Sequence, residues 1–402
     1  MALSAPQETA APRSVLTLRE LEDVRAATLA LVAHLDDAQL ERAYTPLMSP
    51  LVWDLAHIAA YEDLWLAHRH AGLPLLHPEL AEVYDAFETP RAVRGAIELL
   101  DAPTARVYLG DVRERVAAAL AAGGVGDGVL CELVLRHELQ HAETMRQAMA
   151  IAGILPAGEP RLEKLASGER DADAPEWVEV PAGAFEMGAS AEGFAYDNER
   201  PRHTVATGAF RIARQPVSNA AWLRFATAGG YERRELWSAE GWEWKEREAA
   251  GPHPAIAESD PRAPVCHVSW FEADAFARAH DARLPTEAEW ERAASAECDA
   301  LEATGRVWEW TSSFFGGYPG FVAHPYREYS EVFFGGDYRV LRGGSWASSP
   351  RVATRTFRNW DYPQRRQIFA GVRLARDADR DNNSLEVPLM ERDGGDNPTE
   401  VP

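Results

Sequence analysis

The feature that most constrains this chain is a change of texture near its middle. Residues 16 to about 155 repeat their apolar side chains at helical spacing, in LTLRELEDVRAATLALVAHL, PLVWDLAHIAAYEDLWLAHRH, ARVYLGDVRERVAAALAA and VLCELVLRHELQHAETMRQAMAIAG. Ala, Leu, Glu and Arg dominate there, and these are strong helix formers. Gly123-Gly124 and Gly153 follow the third and fourth segments, where C-terminal caps belong. Four such segments predict a helical bundle. The long connection over 71–100 argues against a simple up-down-up-down order with short loops. From Trp177 to about Arg376 the chain instead turns rich in Trp, Gly, Pro and Arg, with short apolar runs. An irregular α+β domain is expected, with helices only around WFEADAFARAH and TEAEWERAAS.

The expected organisation is therefore α+β in two domains, as suits 402 residues. Residues 1–15 form a flexible N-terminus, 16–155 the bundle, 156–175 a polar linker, 176–376 the second domain and 377–402 a disordered tail. No apolar run is long enough to cross a membrane, and MALSAPQETAAPRSV has no secretory pattern. Three cysteines make no disulfide framework. Cys131, Cys266 and Cys298 are read as packing residues, and the expected compartment is the cytoplasm. A net charge of −22 leaves no basic footprint for nucleic acid.

Within the fourth helical segment, RHELQH places His137 and His141 four residues apart, on one helix face. Alone, H-E-x-x-H fits a zinc peptidase, but the continuation AETMRQ lacks the Gly and His of one form. Glu159 and Glu163, available to another form, fall in the linker. His57, in WDLAHIAAYEDLW on the second segment, is a better third ligand, because bundles build metal sites from facing helices. Zinc also accepts three histidines, so ligand type alone does not choose the metal. His68 and His70 lie too far along the same helix to join and are expected to be exposed. On a helix, Glu138 points about 100° away from its ligand neighbour; in a peptidase it would be the general base.

Four strings of the second half, PVCHVSWFEADAFARAHDARLPTEAEWERAA, VWEWTSS, RVLRGGSW and GVRLARD, resemble the sulfatase-modifying-factor fold of the formylglycine-generating enzyme. That enzyme's cysteine pair after GGS is replaced here by Ser348 and Ala353, so its activity is not expected. With WDLAHIAAYE and HELQHAET added, residues 16 to 376 resemble the ergothioneine-biosynthesis sulfoxide synthases. These join a DinB-like bundle to a formylglycine-enzyme-like (C-type-lectin-like) domain.

The resemblance implies Fe(II) held by His57, His137 and His141. It implies a dioxygen-dependent joining of a thiol, γ-glutamylcysteine or cysteine, to the imidazole C2 of hercynine as a sulfoxide. Gln140 then lies near hercynine, Tyr326 is the proton donor and Tyr329 bonds the hercynine imidazole. Asn359, Trp360 and Asp361 of TFRNWDYP line the pocket. Arg91 and Arg94 of YDAFETPRAVR bind the thiol's carboxylates, oriented by Asp85. Two departures bear on pocket shape: the short AECDALEATGR before VWEWT, and the trimmed region around KEREAAGPHPAIAESDPRAPV. Three readings remain beside this one. Selenoneine synthases share the architecture but take a selenosugar, which has no need of Arg91 and Arg94. The ovothiol type usually carries a further methyltransferase domain. A DinB-type binding protein or thiol transferase would have no use for a phenol beside the metal.

Overall fold

The computed structural model describes residues 13–158 and 175–378. Most of the expected linker, nearly all of the tail and residues 1–12 lie outside the described residues. The first helix, α1 (Arg13–Val32), starts inside the stretch read as a flexible terminus. It is followed by the short α2 (Asp37–Glu41), α3 (Leu51–Glu62), α4 (Ala102–Gly123) and α5 (Val129–Ala152). Local chemistry sets these ends. Asp36 and Gln39 form a capping box, and Asp101 accepts from the Thr104 N–H. Gly124 and Gly153 close α4 and α5 with positive φ.

Helix α3 packs on α4 and α5, and α1 packs on the same two. Consecutive long helices α1 and α3 thus sit diagonally, which a short-loop up-and-down bundle cannot do. At Asp63 the backbone of α3 widens into a π-helical segment, Asp63–His70, a rare geometry that recurs at functional sites.

An ionic knot crosses the largely apolar bundle core. Arg25 of α1 donates to Glu138 (2.8 Å) and Glu62 (2.7 Å), and Arg113 of α4 donates to Glu62 (2.7 Å). Both carboxylates are fully buried. The knot ties all four long helices together directly behind RHELQH.

The second domain is built from small sheets. Strands β1 (Trp177–Val180), β4 (Phe210–Ala213) and β9 (Ala375–Asp377) form one. β2 (Gly183–Met187) and β3 (His203–Thr207) form a hairpin. β5 (Trp308–Phe314), β6 (Arg339–Arg342), β7 (Asn359–Asp361) and β8 (Ala370–Gly371) form a sheet in the order β7-β6-β5-β8.

The expectation of only two helices here is corrected. Helices α9 (Trp270–Ala279) and α10 (Glu287–Ala293) are present, each opened by a capping box, Ser269/Glu272 and Thr286/Glu289. They are preceded by α6 (Asn219–Thr227), α7 (Ala239–Arg247) and α8 (Pro254–Glu258). These run for two or three turns at most, too short for periodicity to build up.

The strings that resemble the formylglycine enzyme form the internal scaffold of this domain. Arg342 of RGGSW donates to Glu287 (2.7 Å) and Glu291 (2.6 Å) of TEAEWERAA. Arg358 reaches Glu287, and Arg373 of GVRLARD reaches Glu309 of VWEWTSS at 2.6 Å. All three arginines are buried. A lattice of paired charges thus replaces much of the regular secondary structure a domain of this size would otherwise use.

The domains meet along α5. Glu143 accepts from Trp308 Nε1 (2.7 Å), Ser345 Oγ (2.8 Å) and Ser348 Oγ (2.6 Å). Ser348, which stands in place of a catalytic cysteine, is therefore part of the seam. Arg351 pairs with Glu132 and Glu20 nearby.

Candidate metal centre at the domain seam

His57 projects from α3 and His137 and His141 from α5. Their ring nitrogens lie within 4.8 Å of one another, and His57 Nε2 is 3.0 Å from His137 Nε2. Two outer partners set the tautomers. His57 Nδ1–H donates to the Tyr84 carbonyl (2.6 Å), and His141 Nδ1–H donates to Asp54 (2.9 Å). Each bond leaves the Nε2 lone pair facing the cluster, the arrangement that orients metal-bound imidazoles. Burial, with the neighbouring His141, holds His57 and His137 well below the ordinary histidine range. The His57 and His137 rings are therefore neutral at neutral pH, as ligation requires. Trp53 stacks on His57 at 4.6 Å, and Tyr61 stacks on His137 at 3.6 Å. The donor set fits a divalent transition metal that keeps positions for substrate.

The three histidines sit at the wall of a cavity of about 1000 Å³ between the domains. The substrate-pocket and proton-donor residues named from the resemblance line it: Asp85, Arg91, Arg94 and Gln140 from the bundle, and Tyr326, Tyr329, Asn359, Trp360 and Asp361 from the second domain. Gln140 Oε1 accepts from the Tyr196 hydroxyl (3.1 Å), which orients its amide nitrogen toward Tyr329 (3.4 Å). Asn359, Trp360 and Asp361 are edge strand β7, with Trp360 stacked on Phe315 at 4.1 Å. Burial raises the Asp361 carboxyl above its ordinary range, against the pull of Arg91 and Arg365.

The two arginines differ. Arg94 is buried and donates to the Thr89 carbonyl (2.7 Å), Ser49 Oγ (2.8 Å) and the Ala86 carbonyl (3.2 Å), with its guanidinium over Trp53. Those bonds fold the loop that carries Asp85 and Arg91. Asp85 itself caps the loop by accepting from Phe87 N–H (2.7 Å).

Away from the site, Glu138 turns into the bundle core, where Arg25 donates to both of its oxygens. His68 is exposed and bonds the Leu73 carbonyl, and His70, half-buried, bonds the Gly124 carbonyl. Cys131 and Cys266 are buried in separate clusters, and burial pushes the Cys266 thiol up.

Sequence reasoning missed Asp54, Tyr61, Trp65 and Tyr196. Asp54 and Tyr61 stand three before and four after His57, so the helical period placed them on its face. Tyr196, in a loop, carried no local signal.

Fold and site together define a two-domain metalloprotein whose three imidazoles come from a helical bundle and whose pocket is closed by a lectin-like domain. Residues 20–145 match the DinB superfamily, and residues 163–302 and 296–378 match the sulfatase-modifying factor enzyme 1-like domain. The hercynine oxygenase of Mycolicibacterium thermoresistibile is 42% identical over 440 residues, covering 92% of this chain and 97% of that one. The hercynine oxygenase of Mycobacterium tuberculosis is 42% identical over 420 residues, covering 89% and 97%. The formylglycine-generating enzyme of Streptomyces coelicolor is 30% identical over 287 residues, covering 52% of this chain and 91% of that one. The chain belongs to the hercynine oxygenase family. It is an iron-dependent enzyme, and its three-histidine cluster is the mononuclear non-haem iron(II) site. Among the described residues, no helix is long and apolar enough to cross a membrane.

Proposed function

We propose that this protein uses dioxygen to join a thiol sulfur to C2 of the hercynine imidazole as a sulfoxide, in the cytoplasmic biosynthesis of ergothioneine. The observation that carries this reading is the convergence of the three histidines, Gln140, Tyr326, Tyr329 and β7 on one cavity. That cavity is large enough for two small substrates. When bound, iron(II) supplies one-electron chemistry with dioxygen.

The protein's own contribution is placement. Gln140, its amide turned by Tyr196, and Tyr329 offer hydrogen bonds to the hercynine imidazole. The aromatic wall of Tyr329 and Trp360 suits the betaine cation. Tyr326, a half-buried phenol that desolvation keeps neutral, is the proton donor. Across the cavity, Arg91 offers a carboxylate partner and Asp361 an ammonium partner. This matches the charges of a zwitterionic thiol such as γ-glutamylcysteine or cysteine, charges that a neutral selenosugar lacks. Arg94, engaged with the protein, serves by holding the loop.

The test is a product assay. Protein loaded anaerobically with Fe(II) is mixed with hercynine and air, and separately with γ-glutamylcysteine, cysteine or a selenosugar. Mass spectrometry is expected to find a hercynine sulfoxide conjugate of a thiol. A selenium conjugate alone would overturn the choice of partner, and no conjugate in any tube would overturn the activity.

A further inference from the structure

We propose that Tyr61 is a positioning residue for this reaction, fixing the direction in which the Tyr326 phenol presents its proton. The inference rests on the reading of Tyr326 as proton donor. The hydroxyls of Tyr61 and Tyr326 are 3.1 Å apart across the domain seam, from positions 265 residues apart in sequence. Among the described contacts, Tyr61 is the hydrogen-bond partner of the Tyr326 hydroxyl.

The Tyr61 ring is itself fixed. It lies nearly parallel to His137, with ring centroids 3.6 Å apart and planes 8° apart. Trp65, brought alongside by the π-helical turn, has its ring 6.0 Å from Tyr61. The same indole stacks on Tyr326 at 5.1 Å, and Tyr329 meets Tyr326 edge-on at 6.2 Å. With the Tyr326 ring held on these sides, the remaining freedom is rotation of its O–H.

A phenol carries one proton and can also accept. Two neutral phenols 3.1 Å apart place one proton between them and leave the other to point elsewhere. Tyr61 as donor occupies the Tyr326 oxygen and directs the Tyr326 proton into the cavity. The reverse arrangement would hold that proton between the rings. When Tyr326 gives its proton to the reacting oxygen, the O–H bond breaks, a new one forms on the acceptor and the charge stays on the phenolate. No electron moves between the tyrosines. Tyr61 keeps its own proton, and its hydrogen bond strengthens onto the phenolate, because bonds to an ionised acceptor are the stronger kind.

Tyr61→Phe keeps the ring and its stacking and removes only the hydroxyl. Iron content and hercynine affinity are expected to hold. Turnover should fall at least about tenfold, part of the ~10²–10⁴-fold a positioned general acid supplies, with KM for hercynine within about twofold. A readout free of turnover comes from metal-free protein carrying 3-fluorotyrosine at position 326, whose fluorine resonance should move on Tyr61→Phe. Tyr326→Phe is the comparator. If it leaves product formation intact, the donor reading fails and takes this inference with it. If Tyr326→Phe is crippled while Tyr61→Phe keeps wild-type turnover or leaves the fluorine signal unmoved, the inference about Tyr61 alone is overturned.

Discussion

Glu138 stands beside an iron ligand, yet its carboxylate lies in the bundle core against Arg25. One helical step, about 100°, separates the two directions. A metallopeptidase would use this glutamate as general base, so its removal would spare the fold and abolish activity. Here the reverse holds. Glu138→Ala strips a fully buried partner from Arg25, and breaking a buried ion pair costs about 3–5 kcal/mol. Urea unfolding should register that loss, while the variant, held where it is folded, still binds iron. A variant as stable as the parent would show that the knot does not anchor α5. The period of a helix made this geometry legible from the sequence. The partnership with Arg25 was not, because nothing in the sequence near residue 25 sets it apart from the charged residues around it on α1.

Helix α5 joins the iron site to the second domain within three residues, from Gln140 to Glu143. Burial raises the Glu143 carboxyl above the ordinary range, although Ser348, Trp308 and Ser345 all donate to it. The sign follows from proton binding. The folded state holds this proton to higher pH than the unfolded chain does, so this group's contribution to stability falls as pH rises through and above the ordinary carboxylate range. Glu143→Gln retains the acceptor oxygen for Trp308 and Ser345 and removes the titration. Denaturation midpoints of parent and variant, compared between about pH 4 and 7, should diverge in favour of the variant as pH rises. A constant difference across that range would exclude a titrating Glu143. The elements themselves were unevenly legible. The long bundle helices declare themselves through periodicity and caps, whereas α6 to α8 are too short to do so. The widening of α3 at Asp63 leaves no trace in residue type, although it decides where Trp65 falls.

At the scale of the whole molecule, the cavity exists only because both domains supply its walls. Its residues were legible for two different reasons. The histidines follow from helix geometry, and Tyr326, Tyr329 and β7 follow from resemblance to a family. The hydroxyl contact between Tyr61 and Tyr326 and the inward bonds of Arg94 come from tertiary packing, which no local pattern encodes. The central claim is that His57 on one helix and His137 and His141 on another make a single iron site at this seam. Its most direct test is anaerobic titration of metal-free protein with Fe(II), in the parent and in His57→Ala. The account predicts one equivalent bound by the parent and loss of that binding in the variant, with the fold retained by circular dichroism. Unchanged stoichiometry and affinity in His57→Ala would contradict it.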